Sequence, residues 1–366
     1  MMSTGSTLKL WPDMAYLAVF DREGRERSLL SRHIKSARGH YAMMWLCGLL
    51  AVFTLFGETA RAIDFGNDPK AWLNRIAASA QSVSYEGTFV YRRDDQLVTM
   101  HLIHVANRDG EREKLVSLSG GRRELLRSKE GVVCIFPGNK HITFNRGGLN
   151  KHFPGQLAAH VKDLENNYHL TMGGRDRIAG RNARMIVVEP KDNYRYGYRI
   201  WIDEETGLLL QSDLVNEHGN AMEQVVFTEI NVVDKATPQM VKAVTMDDEM
   251  RRALEARKDQ TVASDNMPWR ITKMPKGFSL AEHYQHNHSK HEPVEQLVLT
   301  DGMATVSVFI EHMEGKTAPF KGATHMGAVN AFGTVVNDHQ LTVVGEVPAA
   351  TVRLIGRSMS LTRSDH

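Results

Sequence analysis

Ser84-Tyr85-Glu86-Gly87-Thr88-Phe89-Val90-Tyr91 sets Tyr85, Gly87, Phe89 and Tyr91 on one side and Ser84, Glu86, Thr88 and Val90 on the other. A period of two is that of a β-strand. Just before it, Asp68-Pro69-Lys70-Ala71-Trp72-Leu73 reads as the start of a helix, with Asp68 as N-cap and Pro69 at the first helical position. Trp72, Leu73, Ile76, Ala77 and Ala80 form its apolar stripe, and the period changes from helix to strand after Gln81. Turn marks then recur: Asp94-Asp95, Asp109-Gly110, Gly120-Gly121, Glu130-Gly131, Gly138-Asn139 and Gly147-Gly148. Short β-rich runs between such marks predict an antiparallel meander. A helical stretch over about 154–164 interrupts it. Strands resume at 168–172, 183–189, 197–203, 208–216 and 222–232.

The next strand is apolar on both faces. Over 97–105, Val98, Met100 and Leu102 point one way, while Leu97, Ile103 and Val105 point the other. A sheet with one wet face alternates more cleanly. The second apolar side therefore needs a cover, supplied by the chain's own helices, by an apolar ligand or by a partner chain. The residues expected to line a concave apolar surface are Phe89, Tyr91, Met100, Leu102 and Trp201. A slip of one residue in register would exchange this set for its neighbours.

Upstream, Trp45–Gly57 is an uncharged run, short of the roughly 20 residues that span a bilayer. Basic residues precede it and Ala60-Arg61-Ala62 follows, the layout of a secretory signal cut after Ala62. Eight Lys/Arg and five acidic residues fall in the first 62, so the +2 of the whole chain becomes −1 for residues 63–366. A near-neutral body argues against a nucleic-acid partner. Removing the leader leaves one cysteine, Cys134, inside the apolar run Val132–Phe136, which reads as an inert core thiol.

Residues 236–265 change character. Thr237-Pro238 leads to Asp247-Asp248-Glu249-Met250-Arg251-Arg252, read as a linker with one charged helix. The expected division is a leader at 1–62, a β-rich domain at 63–235, the linker at 236–265 and a small α+β domain at 266–362. In the last, Asp301-Gly302 between two apolar runs is a strong hairpin signal. Pro348 opens a closing helix with Val352, Ile355 and Met359 on one face.

No catalytic pattern stands out: there is no G-x-S-x-G, H-E-x-x-H or phosphate loop, and the acidic residues are scattered. No catalytic residue, metal ligand or cofactor is assigned. His283, His286, His288 and His291 fall close together, but without a Cys or acidic ligand at regular spacing they read as a solvated loop between strands. Arg195-Tyr196-Gly197-Tyr198-Arg199 reads as sheet edge and core, or as a surface suited to peptide or amphiphile contact.

The runs Arg175-Asp176-Arg177-Ile178-Ala179-Gly180-Arg181 and Arg195–Asp203 resemble the MucB/RseB family. So do Thr206–Leu210, Gly219–Gln224, Asp301–Glu311 and Val344–Val352. The resemblance spans nearly all of 63–360 and implies an α+β protein: an unclosed antiparallel β-barrel with covering helices, similar to the lipoprotein carriers, and a smaller α+β domain. It implies a periplasmic, non-enzymatic regulator that binds the periplasmic domain of an inner-membrane anti-sigma factor of the MucA/RseA type. That partner would be shielded from proteolysis and freed when lipopolysaccharide or lipoprotein acyl chains bind. Self-association stays open. A periplasmic lipid or lipoprotein carrier is the alternative.

Overall fold

The computed structural model describes residues 66–108, 110–136, 140–144, 164–256, 260–261, 267–288, 291–313 and 318–361. The leader, its cleavage point and nearly all of the helix expected at 154–164 lie outside these residues.

Helix α1 (Pro69–Ser82) starts as its sequence requires: Asp68 stays extended and accepts the Lys70 N–H, with Pro69 in the first turn. Eleven strands follow. They are β1 (Ser84–Arg93), β2 (Gln96–Asn107), β3 (Gly110–Ser117), β4 (Glu124–Ser128), β5 (Gly131–Phe136), β6 (Lys140–Phe144), β7 (Tyr168–Ile178), β8 (Arg181–Pro190), β9 (Gly197–Asp203), β10 (Leu209–Val215) and β11 (Ala221–Val233). They form one antiparallel sheet in the order β6-β5-β4-β3-β2-β1-β11-β10-β9-β8-β7. Two meanders are thus joined at their middle by the β1–β11 ladder, and the sheet is not closed.

Both faces are covered, by different helices. Trp72, Leu73 and Ile76 of α1 pack with Ile186, Ile200, Ile202 and Leu214. Ile200 pairs through Ser212 and Val225 to Tyr91, so α1 sits on the face that carries Tyr91. Helix α2 (Pro238–Ala243) brings Met240 against Val105, and α3 (Asp248–Ala256) brings Leu254 against Leu126 and Val133. Val105 points away from Met100 and Leu102, so these helices lie on the opposite face. The stretch read as a linker is therefore, over 238–256, a lid on the sheet. Of its large apolar groups, Met240, Val244, Met246 and Leu254 are buried, and Val241 and Met250 are half-buried.

After β12 (Gln260–Thr261) and β13 (Trp269–Ile271) come β14 (Ser279–His288), β15 (His291–Thr300), β16 (Thr305–His312), β17 (Gly322–Met326), β18 (Val329–Val336) and β19 (His339–Gly345). Helix α4 (Ala349–Arg357) and β20 (Met359–Leu361) close the domain. The second sheet runs β12-β14-β15-β16-β19-β18-β17, and β13 pairs with β20. Val352 and Ile355 of α4 pack on Leu297, Leu299, Val306, Val308 and Val343. Met359 joins this core from β20, not from the helix expected to carry it: the helix stops at Arg357. The histidine segment is also corrected. His283, His286 and His288 lie in β14 and His291 in β15, so the loop is a strand hairpin. His283 is buried beside Glu295, with 3.0 Å between Nε2 and Oε2. Cys134 is buried and unbridged.

Candidate functional site

Phe89 and Tyr91 on β1, Val98, Met100 and Leu102 on β2, and Phe227 on β11 form one buried cluster. The ladder makes them neighbours: Phe89 stands opposite both Met100 and Phe227, and Tyr91 opposite Val98. The Phe89 and Phe227 rings lie 5.5 Å apart. Gly87, opposite Leu102, leaves room for them. A Cβ there would come within 2.5 Å of the Glu229 carbonyl oxygen and 3.1 Å of the Phe227 ring.

Four of the five expected lining residues are therefore together. Trp201 is not among them. It pairs with Gln211, Gln211 with Val226, and Val226 with Val90, so Trp201 faces the Val90 side. There it packs with Ile178, Ala183 and Leu210. Phe227 takes its place on the Tyr91 face. No local pattern announces that, because β11 meets β1 only through a ladder between distant parts of the chain. All five residues are buried by the chain itself. The Val105 face holds a separate hollow of about 410 Å³ under α2 and α3, lined by Leu126, Ile135 and Met250 with Lys114 and Lys242 among its polar residues.

The cluster continues into the seam between the two sheets. Tyr91 donates its hydroxyl to Glu223 Oε2 at 2.6 Å. Glu223 also lies against the β17–β18 turn, its Oε1 3.4 Å from where a Cβ on Gly327 would stand. Gly327, at φ +58, lets that turn lie against Arg93, since a Cβ would come within 2.7 Å of Arg93 Cδ. Met303 and Ala328 complete the core beneath α1.

At the other end of the seam Arg195 is fully buried between Asp192 and Asp301. Its Nε and one terminal nitrogen each lie 3.0 Å from an Asp192 oxygen, and it also donates to the Lys276 carbonyl. Tyr168 donates to Asp301 at 2.9 Å, while the Tyr168 and Phe278 rings flank the guanidinium at 5.4 and 5.2 Å. Burial and the Asp301 charge push the Tyr168 phenol well above its usual range. Asp301 Oδ1 meanwhile accepts the Met303 and Ala304 N–H groups, which fixes the turn that the Asp-Gly pair predicts. Asn330 donates to the Tyr196 hydroxyl at 3.2 Å, and Thr351 to the Tyr194 carbonyl at 2.6 Å. The Arg-Tyr-Gly-Tyr-Arg motif is thus a joint between domains: Arg195 and Tyr196 reach the second domain, and Tyr198 enters the core of the first. Among the described residues no group of His, Cys, Asp and Glu has the arrangement of a metal site.

Comparison with known proteins extends over the same two units. Residues 68–245 match the family model for the MucB/RseB N-terminal domain, and residues 263–360 that for the MucB/RseB C-terminal domain. The sigma factor AlgU regulatory protein MucB of Pseudomonas aeruginosa is 32% identical over 309 residues, covering 80% of this chain and 90% of that protein. The sigma-E factor regulatory protein RseB of Escherichia coli K12 is 24% identical over 335 residues, covering 87% and 96%. The solved complex of Pseudomonas aeruginosa MucA and MucB superposes with a TM-score of 0.62 at 30% identity, over 81% of this chain and all of that one. A crystal structure of MucB with MucA(peri) gives 0.61 at the same identity, over the same shares.

Proposed function

This chain belongs to the MucB/RseB family, and from that premise we propose that it is a periplasmic negative regulator of an envelope-stress sigma factor. It binds the periplasmic region of a membrane-bound anti-sigma factor and shields it from regulated proteolysis. One observation carries this reading: likeness to a chain solved in complex with MucA extends over 81% of this chain and all of that one. The role is one of binding, and no catalytic residue is assigned. The chain is exported, with its signal cut after Ala62, so N-terminal sequencing of the mature protein should begin at Ile63; a full-length, membrane-retained species would contradict export.

Release is assigned to lipopolysaccharide or a similar amphiphile. The cluster of Phe89, Tyr91, Met100 and Leu102 is apolar and lies beside the seam, and since the chain buries it, an amphiphile that takes its place must part it, which is the link from ligand to seam. A tenfold loss of partner affinity needs about 1.4 kcal/mol of coupling. Burying an acyl chain, at about 0.8 kcal/mol per CH₂, supplies that readily. Coupling is reciprocal, so titration calorimetry with monodisperse lipid fragments, with and without saturating anti-sigma peptide, is the test. Equal lipid affinity in both cases leaves a passive shield. Failure to capture the anti-sigma region at all would favour a lipid or lipoprotein carrier.

A further inference from the structure

Strand β17 is an edge of the second sheet: it pairs with β18 alone, and all five of its residues are exposed. Gly327-Ala328 is the two-residue turn between the two strands, with Met326 opposite Val329 and Gly327 at φ +58. A turn of this length is closed by a hydrogen-bonded pair, and such pairs alternate with non-bonded ones along an antiparallel ladder. Gly322 and Thr324 therefore bond to β18, while the backbone N–H and C=O groups of Ala323 and His325 point outward from the sheet. Two other sheet edges are guarded against pairing. β7 carries a bulge between Met172 and Arg175 followed by Arg175-Asp176-Arg177, and β12 is two residues long. β17 has no Lys, Arg, Asp or Glu, no proline and no bulge.

The surroundings of this edge are basic. From Gly315 to Asn337 the sequence has no acidic residue. Lys321 precedes the strand, and Arg353 and Arg357 are exposed on α4. The Arg357 guanidinium stands 5.7 Å over the Phe332 ring, and Phe332 lies opposite Ala323. A strand added to β17 would lie one ladder spacing further out, about 4.8 Å. Its side chains beside Ala323 and His325 would turn to the α4 side, where the arginines favour acids. Those on its other face would meet Met326, which is 42% exposed. One end of the edge is at the seam: the Gly327 turn lies against Arg93 and Glu223, and Ala328 is buried in the core beneath α1. An added strand would start beside the first domain and run out along the second.

We propose that the edge of β17 receives an extended, acidic stretch of the anti-sigma factor's periplasmic region as an added strand. This rests on the reading above that the chain binds that region, and it supplies the mode of binding. The outward groups of Ala323 and His325 give main-chain hydrogen bonds that any sequence can make, and the α4 arginines select acidic side chains. A stretch whose backbone is bonded to β17 is withheld from a protease cleft, which accounts for the shielding.

Hydrogen exchange of the mature chain, read by NMR with and without the recombinant periplasmic region of its anti-sigma factor, tests this directly. The Ala323 and His325 amides should exchange freely in the chain alone and slow by about tenfold or more in the complex. Proline is tolerated on an edge where the missing N–H faces solvent, so His325→Pro should fold yet bind about tenfold more weakly. Ala323→Pro repeats the test if circular dichroism shows that His325→Pro does not fold. Ala323→Asp leaves the ladder intact and should lose a similar factor through its charge, whereas Ala323→Asn, of the same shape, should not. Capture of the region without protection at Ala323 and His325, or a folded proline variant of undiminished affinity, would overturn the added strand and leave the wider reading standing. No capture at all overturns both. Protection in the chain alone that grows with its concentration would assign the edge to a second copy instead, and Ala323→Asp binding as tightly as Ala323→Asn would overturn the acidic assignment.

Discussion

Arg195 carries more of the seam than any other single side chain. Its charge is buried, and two aspartates and a backbone carbonyl from both domains surround it. Such a group contributes less to net stability than to specifying one arrangement, yet removing one partner leaves the other charge uncompensated. Asp301→Ala is expected to cost about 3 kcal/mol, and Arg195→Ala a similar amount. Because both lesions break one contact, the double variant should cost far less than the sum, which denaturant titration of all three proteins will show. The sequence announces Arg195 and Asp301 as a motif and a turn, but not that they meet, since 106 residues separate them. The apolar cluster shows the same limit. Alternation groups Phe89 with Tyr91 and Met100 with Leu102, because each pair lies within one strand. Placing Trp201 needs the register of β9 to β10 to β11 to β1, and local sequence fixes none of those steps.

Helix α1 is tied to the sheet by a polar network as well as by its apolar stripe. Both ring nitrogens of His104 on β2 face oxygens: Nδ1 lies 2.8 Å from Glu113 Oε1 on β3, and Nε2 lies 2.9 Å from the Ala80 carbonyl of α1. Arg127 on β4 meets the same Glu113 oxygen at 2.6 Å, and the Tyr85 ring stacks on His104 at 5.0 Å. Burial pushes the Glu113 carboxyl up, but Arg127 and His104 outweigh it and hold it down at about 2. A depressed carboxyl stabilises the fold above its unfolded value, near pH 4.5, and loses that contribution as pH falls towards 2. Glu113→Gln should therefore cost about 3 kcal/mol at neutral pH and flatten the stability profile between pH 4.5 and 2. Urea midpoints at a series of pH values decide it; an unchanged acid limb would mean the network is idle. At this scale the sequence is most legible. Asp68-Pro69 starts α1 where read, and the Asp301-Gly302 hairpin forms. The errors fall where tertiary contact overrides local pattern. The stretch 238–256 looks like a charged linker because only one stripe of each helix is apolar, and that stripe finds the sheet. The histidine hairpin looks like a loop because its polar residues hide a ladder.

The first domain is one open sheet whose faces are covered by unlike means: α1 and the second domain on one side, α2 and α3 on the other. That arrangement answers the doubly apolar strand read at 97–105 with the chain's own helices, although Leu97 stays exposed. It also predicts that the domains report on each other. A cavity made by Met100→Ala, expected to cost about 3 kcal/mol, should loosen the seam as well as the core. Hydrogen exchange at Ala328 and its neighbours would then rise in that variant, and unchanged protection there would show the cluster and the seam to be independent. The β1–β11 ladder has a further consequence, in time instead of space. At the centre of the sheet it brings Tyr91 within reach of the Glu223 side chain, 132 residues away. Contacts of such separation form late, since the closure entropy of a long loop must be met before they can help. A chain emerging from its N-terminus therefore carries β1 with one edge unpaired, beside an apolar face, until β11 follows, the form most open to intermolecular pairing. Chains ending before Ala221 should aggregate by light scattering where chains ending after Ala256 do not. The strand that completes the centre of the sheet is the last of its eleven to arrive.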